Sequence, residues 1–515
     1  MAARRRRRAT GGRPAAAGTG ARPTLSSLVF ALHSTPGNSP MSDAIANVLA
    51  SRYASPAVRH IWSDTGRIVM ERRLWIAVMK AQCDLGLDIP QEAIEAYERV
   101  VDQVDVESIA RREAVSRHDV KARIEEFCAL AGHEHIHKGM TSRDLTDNTE
   151  QFQVLQSLQA LAPKYVALLE RLRGRAVAWR DLVVVGRTHH AAAQPTTMGK
   201  RLAMFGQEML VAFRRLEHLI ADYPLRGLQG AVGTGLDQLT LFEGDGHKVQ
   251  ELQGRVLEHL GFGRQLGAVG QVYPRSLDFE VVSCLYQLGA GLADAARTIR
   301  LMAGGETATE GFAAGQVGSS AMPHKMNTRS TERVNGFQVV LGGYVHMLGG
   351  LAGDQWFEGD VSCSVVRRVA LPDSFFAFDG MVETMLHVLD EMGVYEAVLR
   401  RELERFMPFL ASTTLLMESV RRGAGREQVH EALKEHAVAV ALRMREEGVA
   451  ENDLTQRLGA DERVPLSADE IDGILSRSRD FIGMAGEQVD GFAGQVEELL
   501  ARYPEARDVE KGRLL

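Results

Sequence analysis

Cysteine, strand signals and long apolar runs are all scarce in this chain, and each scarcity excludes a class of protein. The 515 residues include four cysteines, Cys83, Cys128, Cys284 and Cys363, far apart and without a CxxC pair. Three of them fall within apolar helical patterns. That excludes a disulfide scaffold and points to reduced, mostly buried thiols in a cytoplasmic protein. No apolar run is long enough to cross a bilayer, because Arg and Glu interrupt every helical segment, so no membrane partner is expected. The formal charge of -7 argues against nucleic acid as the main partner. An acidic chain that binds anions must gather its positive groups locally. The one strand candidate, Leu182 to Val185, is brief and precedes a loop.

What is present is ordinary globular material, 45% hydrophobic and 25% charged, in a length that suits two or three domains. Residues 1–40 stand apart: five arginines from Arg4 to Arg8, then Ala, Gly, Pro, Ser and Thr, with no acidic residue before Asp43. They cannot bury a core and read as a disordered leader. Such a leader suits an organelle transit peptide or a nucleic-acid arm. Met41 directly precedes the first patterned segment, which favours an over-called upstream start or a dispensable tail.

From Ser42 onward the apolar period is helical. A first helical domain is expected over 41–147, with Asp64 capping a helix that carries Ile68, Trp75, Val78 and Met79 and ends at Gly86. The middle, 148–394, holds longer segments: Ser142 to about Arg180, Thr197 to Asp222, Ser276 to Met302, Pro323 to about Leu351, and Ser364 to Met392. From 395 to 515 the segments shorten again. The fold expected is all-α, three helical domains with a central long-helix bundle. Five extended helices cannot hide their apolar faces in one short globule, so an oligomer is expected.

Four loops carry polar residues that a helical core would not select. In RHDVKAR, Arg117, His118 and Asp119 open a helix, where a capping aspartate beside a solvated histidine is the plain alternative. In HKGMTSRD, His137, Thr141 and Ser142 stand at a helix start suited to an anion. The neighbouring His133 and His135 lack the spacing and third ligand that a metal site needs. In GRTHHAAAQPTT, His189 lies among small residues, where an imidazole can protonate a leaving group near neutral pH. The stretch GQVGSSAMPHKMNTRSTERVNG joins a glycine-rich half to a helical pattern beginning at Pro323. That places backbone donors, Ser319, Ser320, Lys325 and Asn327 around one small volume fit for a carboxylate or a developing oxyanion. A serine hydroxyl is a poor base, so Ser319 acts as one only when deprotonated, which Lys325 and exclusion of water favour.

The segment GSSAMPHKMN resembles the signature of the fumarase/aspartase superfamily. RHD, HKGMTSRD, GRTHHAAAQPTT and GQVYPRSLD, in that order, are similar to its adenylosuccinate-cleaving branch, from about Ser51 to the C-terminal domain. The resemblance implies β-elimination of fumarate from adenylosuccinate, giving AMP, and from SAICAR, giving AICAR, in purine nucleotide biosynthesis, with no cofactor and no metal. It implies that Ser319 takes the proton from the succinyl Cβ, that His189 protonates the departing nitrogen, and that Lys325 and Asn327 steady the aci-carboxylate. Arg52 and Tyr53 match a phosphate-binding pair. Arg117, His118, Asp119, Thr141, Ser142 and Gln271 match nucleotide and succinyl contacts; Glu332 and Arg333 follow the signature, and Ser364 and Arg368 match a later pair. A cytoplasmic homotetramer whose sites draw on three chains is implied as well. One position departs: Gly359 stands where many members carry arginine, and Arg367 or Arg368 is the expected substitute. The alternatives are argininosuccinate lyase or carboxymuconate cycloisomerase chemistry on the same fold, and a catalytically silent helical scaffold with a basic arm.

Overall fold

The computed structural model describes residues 46–311, 322, 324–510 and 512. The leader and Ser319 lie outside them. The first long helix, α1 (Asp64–Asp84), is capped by Ser63, whose side chain accepts from the Gly66 N–H. Asp64, expected as the cap, instead occupies the first turn, where a carboxylate suits the free N–H groups. Helix α2 (Asp119–Ala131) packs beside it and ends at Gly132, whose φ of 74° is a left-handed cap.

The bundle that follows is made of α3 (Ser142–Ala178), α4 (Met198–Asp222), α5 (Ser276–Gly304), α6 (Arg329–Gly349) and α7 (Cys363–Glu391). Their directions alternate. Gln151 near the start of α3 donates to Pro224 O just past α4, so those two are antiparallel. Arg275, at the head of α5, pairs with Asp147, and Tyr165 donates to Leu288 O, so α5 runs with α3. Asn335 and Gln338 of α6 donate to Ala293 O and Tyr286 O, a descending order that sets α6 against α5. Arg367 meets Glu150 and Arg175 donates to Leu389 O, so α7 again runs with α3. The bundle therefore has a Ser142 end and an Ala178 end.

Between α3 and α4 the expected loop is a β-hairpin. β1 (Val183–Thr188) pairs antiparallel with β2 (Ala191–Thr197), and His189 and His190 form its two-residue turn with φ of 50° and 66°. Positive φ at both central residues is the turn whose twist matches the strands. A second short sheet joins β3 (Ala308–Thr309) to β4 (Gly393–Val394). Beyond it lies α8 (Glu396–Leu410).

Residues 47–515 form one compact unit. The expected boundary near 147 does not separate apolar clusters: one continuous core runs from Val58 through α3, α4, α5 and α7 to Ala506. A second core gathers Met407 to Ile471. Helix α9 (Ala485–Arg502) leaves that second core and returns to the bundle, where Gly206 of α4 admits Phe492; a Cβ there would lie 2.2 Å from the ring.

Candidate active site

At the Ser142 end the predicted residues rest on buried charge. The Thr141 N–H donates to Asp144 at 2.9 Å, and Asp144 also receives the Gln229 and Gly230 N–H groups and the Arg226 guanidinium at 2.6 Å. Arg226 reaches on to Gly230 O and Gly270 O. Asp147 takes Arg143 and Arg275, and Arg367 joins Asp278 at 2.7 Å to Glu150 at 2.5 Å. Four arginines thus answer four carboxylates, which is how charges remain tolerable inside a bundle. The network fixes the loops that carry Thr141, Ser142 and Gln271 against one another.

His137 sits here with φ of 63°, its Nδ1 accepting from Trp75 Nε1 at 3.0 Å. Burial, helped by nearby His118 and opposed by Asp144, lowers its pKa to about 4. The imidazole is therefore neutral at pH 7 with its proton on Nε2, a donor rather than an acid or base. His118 caps α2, its Nδ1 accepting from Lys121 N, while Asp119 stands in the first turn and Arg117 closes the preceding helix at φ of 51°. The cap is the histidine, not the aspartate. His135 Nδ1 lies 3.0 Å from Lys138 Nζ.

Gln271 donates its N–H to Glu358 O at 2.6 Å, and Gly359 lies directly on it: a Cβ at 359 would stand 2.7 Å from that of Gln271. Ser364 opens α7 and Arg368 is exposed one turn later. Arg367, expected as a possible substitute for the missing arginine, is 3% exposed and consumed by Asp278 and Glu150. Only Arg368 of the two is open to a ligand.

At the Ala178 end stand His189, exposed at the hairpin tip, and Lys325, exposed ahead of α6. Arg187 ties the hairpin to Glu402 of α8 and to His190 O. The expected helix start at Pro323 is corrected: α6 begins at Arg329, so Lys325 and Asn327 lie on a loop before it. Its N-terminal donors are also not open to substrate. Ser330 N, Thr331 N and Thr331 Oγ1 all donate, at 2.9 Å each, to buried Glu310. Arg333, in the next turn, lies 5.6 Å from the Tyr53 ring, which meets Phe337 edge-on at 5.1 Å. Arg52 and Tyr53 line a cavity of about 430 Å³ with Arg59, Lys164, Glu383 and Glu510, a mixed setting in which Lys164 is already paired with Asp379 and Glu383. A larger cavity of about 590 Å³, lined by Asp181, Arg400 and Arg479 among others, holds none of the predicted residues.

The two ends of one chain cannot meet. Thr141 precedes and His189 follows the 37-residue helix α3, whose ends lie about 54 Å apart at 1.5 Å per residue. The stretch from Ala178 to His189 spans at most about 38 Å fully extended. Sequence reasoning missed the buried partners that hold each end, Glu310, Asp144, Asp147 and Arg226. The available signal was a carboxylate at a core position of the helical period, as in SRDLTDN.

A family model described as Lyase matches residues 51–342, and one described as Adenylosuccinate lyase C-terminus matches 408–492. The adenylosuccinate lyase of Saccharomyces cerevisiae is 36% identical over 88% of this chain and 95% of that protein. That of Schizosaccharomyces pombe is 34% identical over 90% and 97%. Among solved structures, 3-carboxy-cis,cis-muconate lactonizing enzyme from Pseudomonas putida superposes with a TM-score of 0.75 over 89% of this chain and 99% of that one, at 22% identity. That likeness concerns the fold alone. With similarity this long to enzymes of one kind, and a C-terminal segment particular to them, the chain belongs to the adenylosuccinate lyase family within the fumarase/aspartase superfamily.

Proposed function

We propose that this protein is a lyase that releases fumarate from adenylosuccinate, leaving AMP, and from SAICAR, leaving AICAR. The observation that carries the reading is the near full-length similarity to adenylosuccinate lyases, which extends through residues 408–492 as well as the catalytic body. In the elimination Ser319 removes a proton from the succinyl Cβ, the C–N electron pair leaves with the nitrogen of the AMP or AICAR product, and His189 supplies the proton that neutralises it. The electrons of the broken C–H bond become the fumarate double bond. Lys325 and Asn327 hold the carboxylate on which charge accumulates in between. His137 presents Nε2–H to an acceptor on the substrate, in keeping with its bond to Trp75. Arg52 with Tyr53, Arg117, Arg333 and Arg368 supply positive charge for the phosphate and the two carboxylates, with Thr141, Ser142, Gln271 and Ser364 as polar contacts.

A complete site then takes the Ser142 end of one chain and the Ala178 end of another. Exposed apolar residues on the long helices support such packing: Met204 and Val211 on α4, Val339 on α6, Val365 and Val369 on α7. A homotetramer, with bundles side by side, accommodates this. No helix of the described residues is long and apolar enough to cross a membrane, and the four cysteines are free thiols; both suit an enzyme of the cytoplasm.

The test follows ultraviolet absorbance in parallel assays: fumarate release from adenylosuccinate and from argininosuccinate, and loss of the conjugated diene of carboxymuconate on lactonisation. Turnover of adenylosuccinate alone is expected, and it is abolished in Ser319→Ala with the fold unchanged. Turnover of either competitor in its place defeats the reading.

A further inference from the structure

Helices α1 and α2 are bolted together by two crossed ion pairs at adjacent positions. Glu71 of α1 meets Arg123 of α2 at 2.6 Å, and Arg72 of α1 meets Glu126 of α2 at 2.6 Å, all four side chains buried. The pairs differ in what else they hold. Arg72 and Glu126 turn toward the connection before α2, through Val100 O, Val101 O and the Asp105 N–H. Arg123 turns toward the start of α2, where its Nη2 donates to Asp119 Oδ2 at 3.1 Å. Asp119 stands 3.9 Å from His118, and Arg117 completes the turn. A fully buried glutamate thus backs an arginine whose other face grips a half-exposed carboxylate.

We propose that Glu71 and Arg123 are a positioning pair for the Arg117–Asp119 turn, setting where its side chains meet the nucleotide portion of the substrate and making that placement sensitive to pH. The claim rests on the lyase reading above for the identity of the ligand, not for the geometry. The charges bearing on Glu71 are Arg123 and Asp119 from α2 and Arg67 from its own helix. Burial raises its pKa to about 7, against the pull of Arg123 and Arg67. As pH falls through neutrality Glu71 takes up a proton, and Asp119 is left as the sole anion answering Arg123. The Asp119 carboxylate is then drawn toward Arg123 and away from the ligand. Above neutrality Glu71 shares the guanidinium and releases it.

The experiment compares Glu71→Gln with Glu126→Gln in the full-length enzyme, measuring KM and kcat for adenylosuccinate from pH 6 to 8, and amide exchange of residues 117–121 without substrate. Wild type is expected to show KM rising below neutrality with kcat little changed. Glu71→Gln, locked in the uncharged form, is expected to show a KM raised about three- to tenfold at every pH, the inflection gone, as a weakened contact to a charged group implies. Glu126→Gln breaks the neighbouring bolt without touching Asp119, so it loses stability but keeps the wild-type KM profile. Equal KM profiles in the two variants, or protection in the turn, taken relative to the intrinsic exchange rate at each pH, that is unaltered by Glu71→Gln and flat with pH in wild type, overturn the proposal. Should wild type not turn over adenylosuccinate, the lyase reading fails first, and exchange at 117–121 still decides the positioning claim. Should Glu71→Gln not fold, the pH dependence of that exchange in wild type decides it.

Discussion

A single hydrogen bond settles what His137 can do. Trp75 Nε1–H occupies Nδ1, so protonating that nitrogen means breaking the bond, and burial, helped by His118 against the pull of Asp144, holds the pKa at about 4. The folded state therefore refuses a proton that the unfolded chain accepts near pH 6.5. Its contribution to stability is complete above that pH and is lost as pH falls toward 4, at most about 3 kcal/mol. Glu71 acts oppositely: its raised pKa means the folded state keeps a proton the unfolded chain has shed, so its contribution shrinks as pH rises from 4.5 to about 7. In Trp75→Phe the His137 pKa is expected to climb toward the solvated value in an NMR titration; an unchanged value would show that the indole N–H plays no part. Gly359 is a second residue whose neighbour explains it. With Gln271 Cβ 2.7 Å from where a side chain would begin, the arginine that the resemblance leads one to expect here has no room in this loop. Gly359→Ala is expected to displace Gln271 and raise KM several-fold with kcat nearly intact, and Gly359→Arg to do worse rather than restore a contact. Steady-state kinetics on both variants check this.

Elements were legible where their period was long. The five bundle helices of the structure begin and end within a few residues of the apolar repeat that marks them, except at the start of α6. There the sequence offers Pro323, a good first-turn residue, yet the helix waits until Arg329. The reason lies across the chain: Glu310, buried beside β3, receives the first N–H groups of α6, and a carboxylate from nineteen residues upstream leaves no trace in the local pattern of a helix start. The first strand of the hairpin was read in part, since the candidate Leu182 to Val185 overlaps β1, but its turn and second strand were hidden. Ala191 to Ala193 and the small residues around them carry no alternation, and its turn uses two histidines where Asn-Gly is usual, so period and turn chemistry both fell silent. Candidate residues in polar loops were singled out by their motifs, whereas no motif drew attention to the buried carboxylates beneath them, Asp144, Asp147 and Glu310. Glu310 makes a sharp test at this scale. Glu310→Gln places an NH2 group against a donor at a helix N-terminus, where a charged acceptor had satisfied three. It is expected to cost about 2 kcal/mol. A lowered thermal midpoint, with faster amide exchange at Ser330 and Thr331, is the expected outcome; a midpoint equal to wild type would show that the cap is dispensable.

At the scale of the whole molecule the alternating bundle decides how a site can be assembled. Thr141, Ser142 and Gln271 are held at one end by the Asp144 and Asp147 networks, and His189 and Lys325 belong to the other. A helix of 37 residues is far longer than any small substrate, so on the proposed lyase reading one chain contributes to two half-sites rather than to one whole site. In the proposed oligomer the neighbour that completes them lies antiparallel, presenting its Ala178 end beside the first chain's Ser142 end, and a two-fold axis across the bundles does this twice over. Mixing two inactive variants tests the geometry directly. His189→Ala damages every site at the hairpin tip, and Thr141→Ala combined with Ser142→Ala damages every site at the helix start. If both groups served the same site from one chain, hybrids would contain only damaged sites and the mixture would stay as inactive as its components. With the groups drawn from different chains, some sites in a co-expressed hybrid receive an intact hairpin from one parent and an intact helix start from the other. Fumarate release is therefore expected to reappear on mixing, with the KM of wild type and a reduced kcat per chain, because intact sites keep their full set of contacts and only their number falls.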